Sequence, residues 1–241
     1  MPLTSARAYV AFSCCILAIT TMLGLGVWQL DRMNQKQQRL DSITQKKGLG
    51  IIPLSELQEQ VDIRDAKVGF SGQTDNQRIF LLDNQTNNGR VGYQVLAPVD
   101  TNYGSVLANF GWIEGSLQRE ILPEFALPQA LTEFTGYVRL PAKNPFVSET
   151  ATTATAFPMV IQEVNLEILS VFAGKTLLPF TVMIDTPDDP QFVQQFAPVV
   201  MPPEKHFAYA FQWFGLATAA AVITFVVFFK QRENHDQINN D

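Results

Sequence analysis

Hydrophobic positions in this chain gather into two unbroken blocks near its ends, with short interrupted runs between them. Residues 8–30 carry no charge over about 23 positions, close to what a helix needs to cross the hydrocarbon core of a bilayer, and residues 207–229 repeat the pattern. The first block is too long for the apolar core of a cleaved signal peptide. Only Arg7 precedes it and no small-residue cleavage pattern follows, so it reads as a retained anchor. Tyr9 and Trp28 flank the first block, and Tyr209 and Trp213 lie near the start of the second, where amphipathic rings favour the headgroup level. The expected organisation is a short N-terminus (1–7), a first spanning helix (8–30), a folded domain (31–206), a second spanning helix (207–229) and a tail (230–241).

The polar stretch 31–45 continues the first helix beyond the membrane, Gly48 and Gly50 end it, and Pro53 starts a short helix. Beyond it, runs at 66–72, 78–83, 92–98, 106–113, 134–140, 157–162 and 181–185 read as strands. Turn residues at 74–76, 84–89, 100–104 and 186–190 separate several of them. One helical stretch, 164–172, interrupts the strands and stops at Gly174. Spacings this short, without long helices, predict antiparallel pairing. The fold class is therefore a membrane protein of α+β type, with two transmembrane helices flanking a mainly antiparallel-β domain.

Charge changes the picture little. The net charge is −6, and the only basic-leaning stretch, 32–47, is diluted by Asp41. That argues against a nucleic-acid partner, which calls for a basic stripe. Lys230 and Arg232 after the second helix favour a cytoplasmic C-terminus, but Arg32, Lys36 and Arg39 after the first argue the reverse orientation. Both cysteines, Cys14 and Cys15, lie inside the first apolar block, so the domain holds no disulfide and no thiolate site. Neighbouring helical positions point apart, and these two read as packing residues.

Candidate chemistry is sparse. Besides His235 in the tail, the chain has one histidine, His206, at the start of the second apolar block. A zinc or copper site of ordinary type and a histidine-based nucleophile system are therefore not expected. No nucleotide-binding or hydrolase motif occurs, and Asp185, Asp188 and Asp189 read as a solvated turn. The chain reads as non-enzymatic. On a helix, His206 shares one face with Tyr209 or Ala210 and Trp213. A lone histidine there is either an interfacial polar residue or an axial ligand for haem iron, which needs such apolar surroundings. Two crossings would bring the end of the first helix to the same surface, with Trp28 and Arg32 one turn apart and Gln29 beside them. Arg32 could then meet a haem propionate.

The stretches GVWQLDRMNQK (26–36), GYQVLAPV (92–99), VLANFGWI (106–113), TGYVRLP (135–141) and HFAYAFQWF (206–214) resemble, in order and spacing, the surfeit locus protein 1 family. Those proteins are assembly factors for haem-copper cytochrome c oxidase. The resemblance implies two spanning helices with both termini inside and the domain on the periplasmic side. It implies a part in haem a insertion or in stabilising the nascent catalytic subunit. The expected partners are that subunit, the haem a synthase and the lipid bilayer. It implies His206 as haem a ligand, supported by Arg32, Trp28, Tyr209 and Trp213. With no Arg- and Ser-rich transit peptide, a bacterial inner membrane is expected. The family pattern has arginine where Phe110 stands here. The alternative is a membrane-anchored interaction scaffold for another complex, without haem.

Overall fold

The computed structural model describes residues 5–141, 156–185, 190–195 and 201–238. Its elements run α1 (Ser5–Gly48), β1 (Ile52–Pro53), a 3-10 helix (Leu54–Glu59), β2 (Lys67–Thr74), β3 (Phe80–Asn87), β4 (Arg90–Thr101) and β5 (Gly104–Glu114). They continue with β6 (Thr132–Arg139), β7 (Met159–Ile161), α2 (Leu166–Ala173), β8 (Leu177–Ile184) and α3 (Pro203–Ile238). The chain divides into two compact units, a helical one formed by Met1–Ser42 with Val199–Asp241, and a β-rich one, Ile43–Pro198.

In the helical unit, α1 and α3 are both long and apolar enough to cross a membrane, over Tyr9–Gly48 and Pro203–Phe228. They run antiparallel. Phe12 stacks near Phe228 with ring centroids 4.6 Å apart, an added Cβ on Gly26 would lie 2.7 Å from the Phe214 ring, and Gln29 meets His206. Such a pair brings the chain back to the side of the bilayer on which it began. The less exposed positions step by fours and threes: 15, 19, 22, 26, 29 and 33 on α1, and 203, 206, 210, 213, 217, 220 and 224 on α3. That is the seven-residue spacing of a two-helix seam. Threonine hydroxyls inside the apolar stretches are satisfied within their own helix, Thr20 donating to the Ile16 carbonyl at 2.7 Å and Thr224 to that of Ala220 at 2.7 Å.

The β-rich unit is one sheet in the order β1-β2-β6-β8-β5-β4-β3-β7, rolled up by a further pairing of β2 with β4. Strands β2, β6, β8, β5 and β4 thus close a small Greek-key barrel. Most pairings are antiparallel, as expected, but β5–β8, β3–β7 and β1–β2 are parallel. The closing joint is short: Gln73 pairs with Asp100 and Thr74 with Val99. Gly72 permits it, since an added Cβ would lie 2.5 Å from Val99 Cγ1 and 2.8 Å from the Asp100 carbonyl oxygen. Lys175 reinforces the joint from outside, donating to Asp75 at 2.7 Å and to Asp100 at 2.8 Å.

Two cores result. The barrel interior is filled by Val68, Phe70, Val95, Val99, Val106, Phe134 and their neighbours. A second core on the outer face of the sheet joins Phe80, Leu96 and Leu107 to Met159 and Ile161 of β7 and to Leu169 and Ala173 of α2. Strand β4 is therefore buried on both faces through its middle, which explains why GYQVLAPV reads as a nearly continuous apolar run. Phe110, where the family pattern has arginine, is a core residue at this position. Its ring centroid lies 6.0 Å from that of Phe134 and 6.5 Å from that of Phe192.

Helix α2 is capped at both ends. The Asn165 side chain accepts from the Glu167 and Ile168 amides, and Gly174 closes it at φ 67°. The stretch 84–89, expected as a turn, reverses only at its last two residues. Asn84, at φ 59°, sits at a register shift between Leu82 and Gln85, and β3 runs on to Asn87. Asparagine tolerates the left-handed region, so a bulge and a turn look alike at this position. The reversal comes later, at Asn88 and Gly89, both with positive φ, a two-residue hairpin turn. Most of the turn expected at 186–190, with Asp188 and Asp189, lies outside the described residues.

Candidate functional site

His206 stands in the first turn of α3, three residues after Pro203, whose fixed φ suits a helix start. The seam buries it to 7% exposure. Its Nδ1 lies 2.7 Å from Gln29 Oε1, and its Nε2 is buried without a hydrogen-bond partner. Among the described residues only the Thr74 hydroxyl shares that condition.

The other residues singled out from the sequence are distributed differently. Trp28 (48% exposed) and Tyr209 (43% exposed) face outward. Arg32 places its guanidinium 5.4 Å from the centre of the Trp28 ring and donates to Gln35 Oε1 at 2.9 Å. Gln35 in turn donates to Asp31 at 2.8 Å. Trp213 is half-buried at a seam position. The fold thus joins Trp28 to Arg32 and gives His206 a partner, Gln29, which the sequence alone shows only as a neighbour of Trp28. The missed signal was the seven-residue spacing, which puts Gln29 on the inward face and Trp28 off it.

Cavities in the β-rich unit have a different character. One of about 530 Å³ lies beside the N-terminal end of α2, lined by Glu163, Asn165, Glu167 and Ser170 among others. One of about 240 Å³ is lined by Lys47, Gly50, Ile51, Asp65, Lys67 and Tyr137. Among the described residues, no three His, Cys, Asp or Glu side chains converge in a way that could hold a metal ion.

The ionisable groups of this unit whose titration is displaced sit in ion pairs. The hydrogen bond from Lys46 holds Asp62 below the usual carboxylate range, and the hydrogen bond to Asp185 raises Lys67. Burial pushes Asp100 up, but hydrogen bonds from Lys175 and Ser105 outweigh it and the net displacement is downward. Burial likewise lowers Lys175, and its bonds to Asp100 and Asp75 reverse the sign. In each case the partner stabilises the charged form of the displaced group. This is the pattern of structural pairs; a poised acid or base would instead be pushed toward its neutral form.

The sequence matches the model of the SURF1 family over residues 16–218. The chain belongs to that family. It is also similar to a SURF1-like protein of Rickettsia felis, 26% identical over 220 residues, which cover 86% of this chain and 92% of the relative. SURF1 proteins are known generally as cytochrome oxidase assembly factors, and the matched span contains both Gln29 and His206.

The donor chemistry at His206 suits a haem. A neutral imidazole with one nitrogen bonded to a carbonyl and the other without a partner is the form in which histidine ligates iron. The space is less open. Nε2 is covered, so a porphyrin face reaches it only after seam side chains move aside.

Proposed function

We propose that this SURF1-family protein assists assembly of haem-copper cytochrome c oxidase, helping haem a enter the catalytic subunit or stabilising that subunit as it matures. Its place is a bacterial inner membrane, with the β-rich domain on the periplasmic side and both termini in the cytoplasm. The observation that carries the reading is the buried, unpartnered Nε2 of His206 on an apolar helix pair. Haem a held there would supply the iron and porphyrin destined for the oxidase. His206 would offer Nε2 to the iron and Trp213, on the same seam, would flank the ring; Arg32, Trp28 and Tyr209, which face outward, would reach a propionate and the ring edge only once the seam opens. Contacts to the nascent catalytic subunit and to the haem a synthase belong to the same proposal.

The full chain purified from cells with haem a synthesis intact is expected to carry a Soret band. Cells lacking it should yield several-fold less haem a-loaded oxidase at unchanged subunit synthesis. A scaffold role without haem is favoured by one observation, the covering of Nε2 within the seam. That role predicts the oxidase defect without any Soret band on the purified chain.

Orientation has its own test. Reporter domains fused after Glu56 and after Gln237 should report opposite sides of the membrane, the former outside. The same side for both would mean that only one of the helices crosses.

A further inference from the structure

We infer that Gln29 is the positioning residue for His206: its side-chain carbonyl holds the imidazole in the Nδ1–H form and so leaves the Nε2 lone pair free for an iron centre. The argument starts from what the two atoms can do. Gln29 Oε1 carries no hydrogen, so at 2.7 Å from Nδ1 the proton between them belongs to the ring. With Nδ1 protonated, a neutral ring has its lone pair on Nε2. That atom is buried, and among the described residues no group donates to it.

Other arrangements of the same groups are worse. Rotating the Gln29 amide would point its NH₂ at Nδ1 and move the ring proton to Nε2, leaving a buried N–H without an acceptor. A doubly protonated ring would leave the same orphan and add a charge in an apolar seam. An unsatisfied buried donor is costly and a buried charge more so, whereas an acceptor left bare is better tolerated. The arrangement found is the one whose only unsatisfied group is a lone pair. A ligand can use that lone pair.

Placement supports the assignment. Gln29 and His206 both occupy inward positions of the helix seam, so neither side chain can swing to water without leaving it. A carbonyl accepting from the far nitrogen of a ligating histidine fixes the ring plane and makes the bound nitrogen a better donor. Gln29 does not touch the metal in this scheme and acts only through His206.

That the ligand is haem rests on the function proposed above, but the tautomer does not. Both can be read on the full chain in detergent with ¹⁵N-labelled histidine and His235→Gln to remove the second signal. The nitrogen with the bare, pyridine-type shift should be the one coupled to both ring C–H protons, which identifies Nε2. Gln29→Met, similar in size but with no carbonyl, should abolish that preference and lower haem affinity ~10–100-fold, the usual cost of losing such a partner. Gln29→Glu should retain haem with a lower iron midpoint potential, because a carboxylate draws the Nδ1 proton more strongly. A bare Nδ1 in the wild type overturns the inference, as does a tautomer unchanged in Gln29→Met. If Gln29→Met fails to accumulate, the wild-type spectrum decides alone. A bare Nε2 in a chain that carries no haem under any condition sustains Gln29's role and removes the haem reading.

Discussion

Replacing His206 with alanine is expected to strip the Soret band from the purified chain while leaving its insertion and accumulation unchanged. Loss of the imidazole removes the nitrogen offered to the iron, and no second histidine stands on the seam to replace it. The remaining histidine is in the tail, and Met201 is separated from α3 by Pro202 and stands before its first residue. The loss of affinity should exceed the ~10–100-fold that follows removal of a ligand's hydrogen-bonding partner. Folding should not suffer in proportion. The substitution takes away a buried ring whose Nε2 is already unsatisfied, and leaves only the Gln29 amide to find water or a backbone partner. Added imidazole, which fits the space vacated by the ring, should restore part of the absorbance. Oxidase yield in cells should fall several-fold without vanishing, because an assembly factor raises yield and does not perform the turnover. An unchanged spectrum in His206→Ala would end the ligand role. By contrast, Arg32→Ala should weaken retention and leave the ligation spectrum as it was.

The largest loss of stability is expected in the β-rich unit, from Phe80→Ala. Phe80 is 0% exposed on the outer face of β3, where it pairs in parallel register with Met159. Its ring meets that of Phe157 edge-on, centroids 5.6 Å apart, and packs with Leu96, Leu107, Leu169 and Ile161. These neighbours come from β4, β5, α2 and β7, so the cavity left behind cannot close by moving one element. Truncating a phenylalanine at such a site costs about 3–5 kcal/mol, a large share of the stability of an ordinary domain. Denaturant unfolding of the full chain in detergent should show it as a lowered midpoint. Trp112 is a convenient reporter, being buried in the same unit with its indole N–H donating to the Gln85 carbonyl at 2.9 Å. The helical absorbance of α1 and α3 should survive that transition, since they are a separate unit. A cost under about 1 kcal/mol would mean that the core beneath α2 contributes little to holding the sheet.

Local chemistry was the legible part. The apolar blocks, the strands centred on 66–72, 92–98, 106–113 and 134–140, and the helix at 164–172 stopped by Gly174 all follow from runs and turn residues within a few positions of each other. Pairings between distant segments were not legible. Nothing near Ile52 announces that it will lie beside Val68, and nothing in 73–74 or 99–100 says that these four residues close a barrel. Such contacts are decided by which faces must be buried once the sheet twists, and Gly72 is visible as a requirement only when Val99 stands opposite it. At the candidate site the histidine was legible because it stood almost alone. Its partner was not, because a glutamine at the end of an apolar helix looks like any interfacial polar residue until the opposite helix is in place.

The buried pair also constrains how the two helices can slide. Gly26, Ala210, Ala217 and Ala220 let the helices approach closely, and the Phe214 ring seats against Gly26. The polar pair adds a second condition on the alignment. Moving α3 by one repeat would part His206 from Gln29 and leave the Nδ1–H donor unpaired inside the seam, at a cost of about 1–3 kcal/mol. The glutamine and histidine therefore work as a key in a slot, holding by polar pairing the same alignment of the hairpin that Phe214 and Gly26 fix by shape.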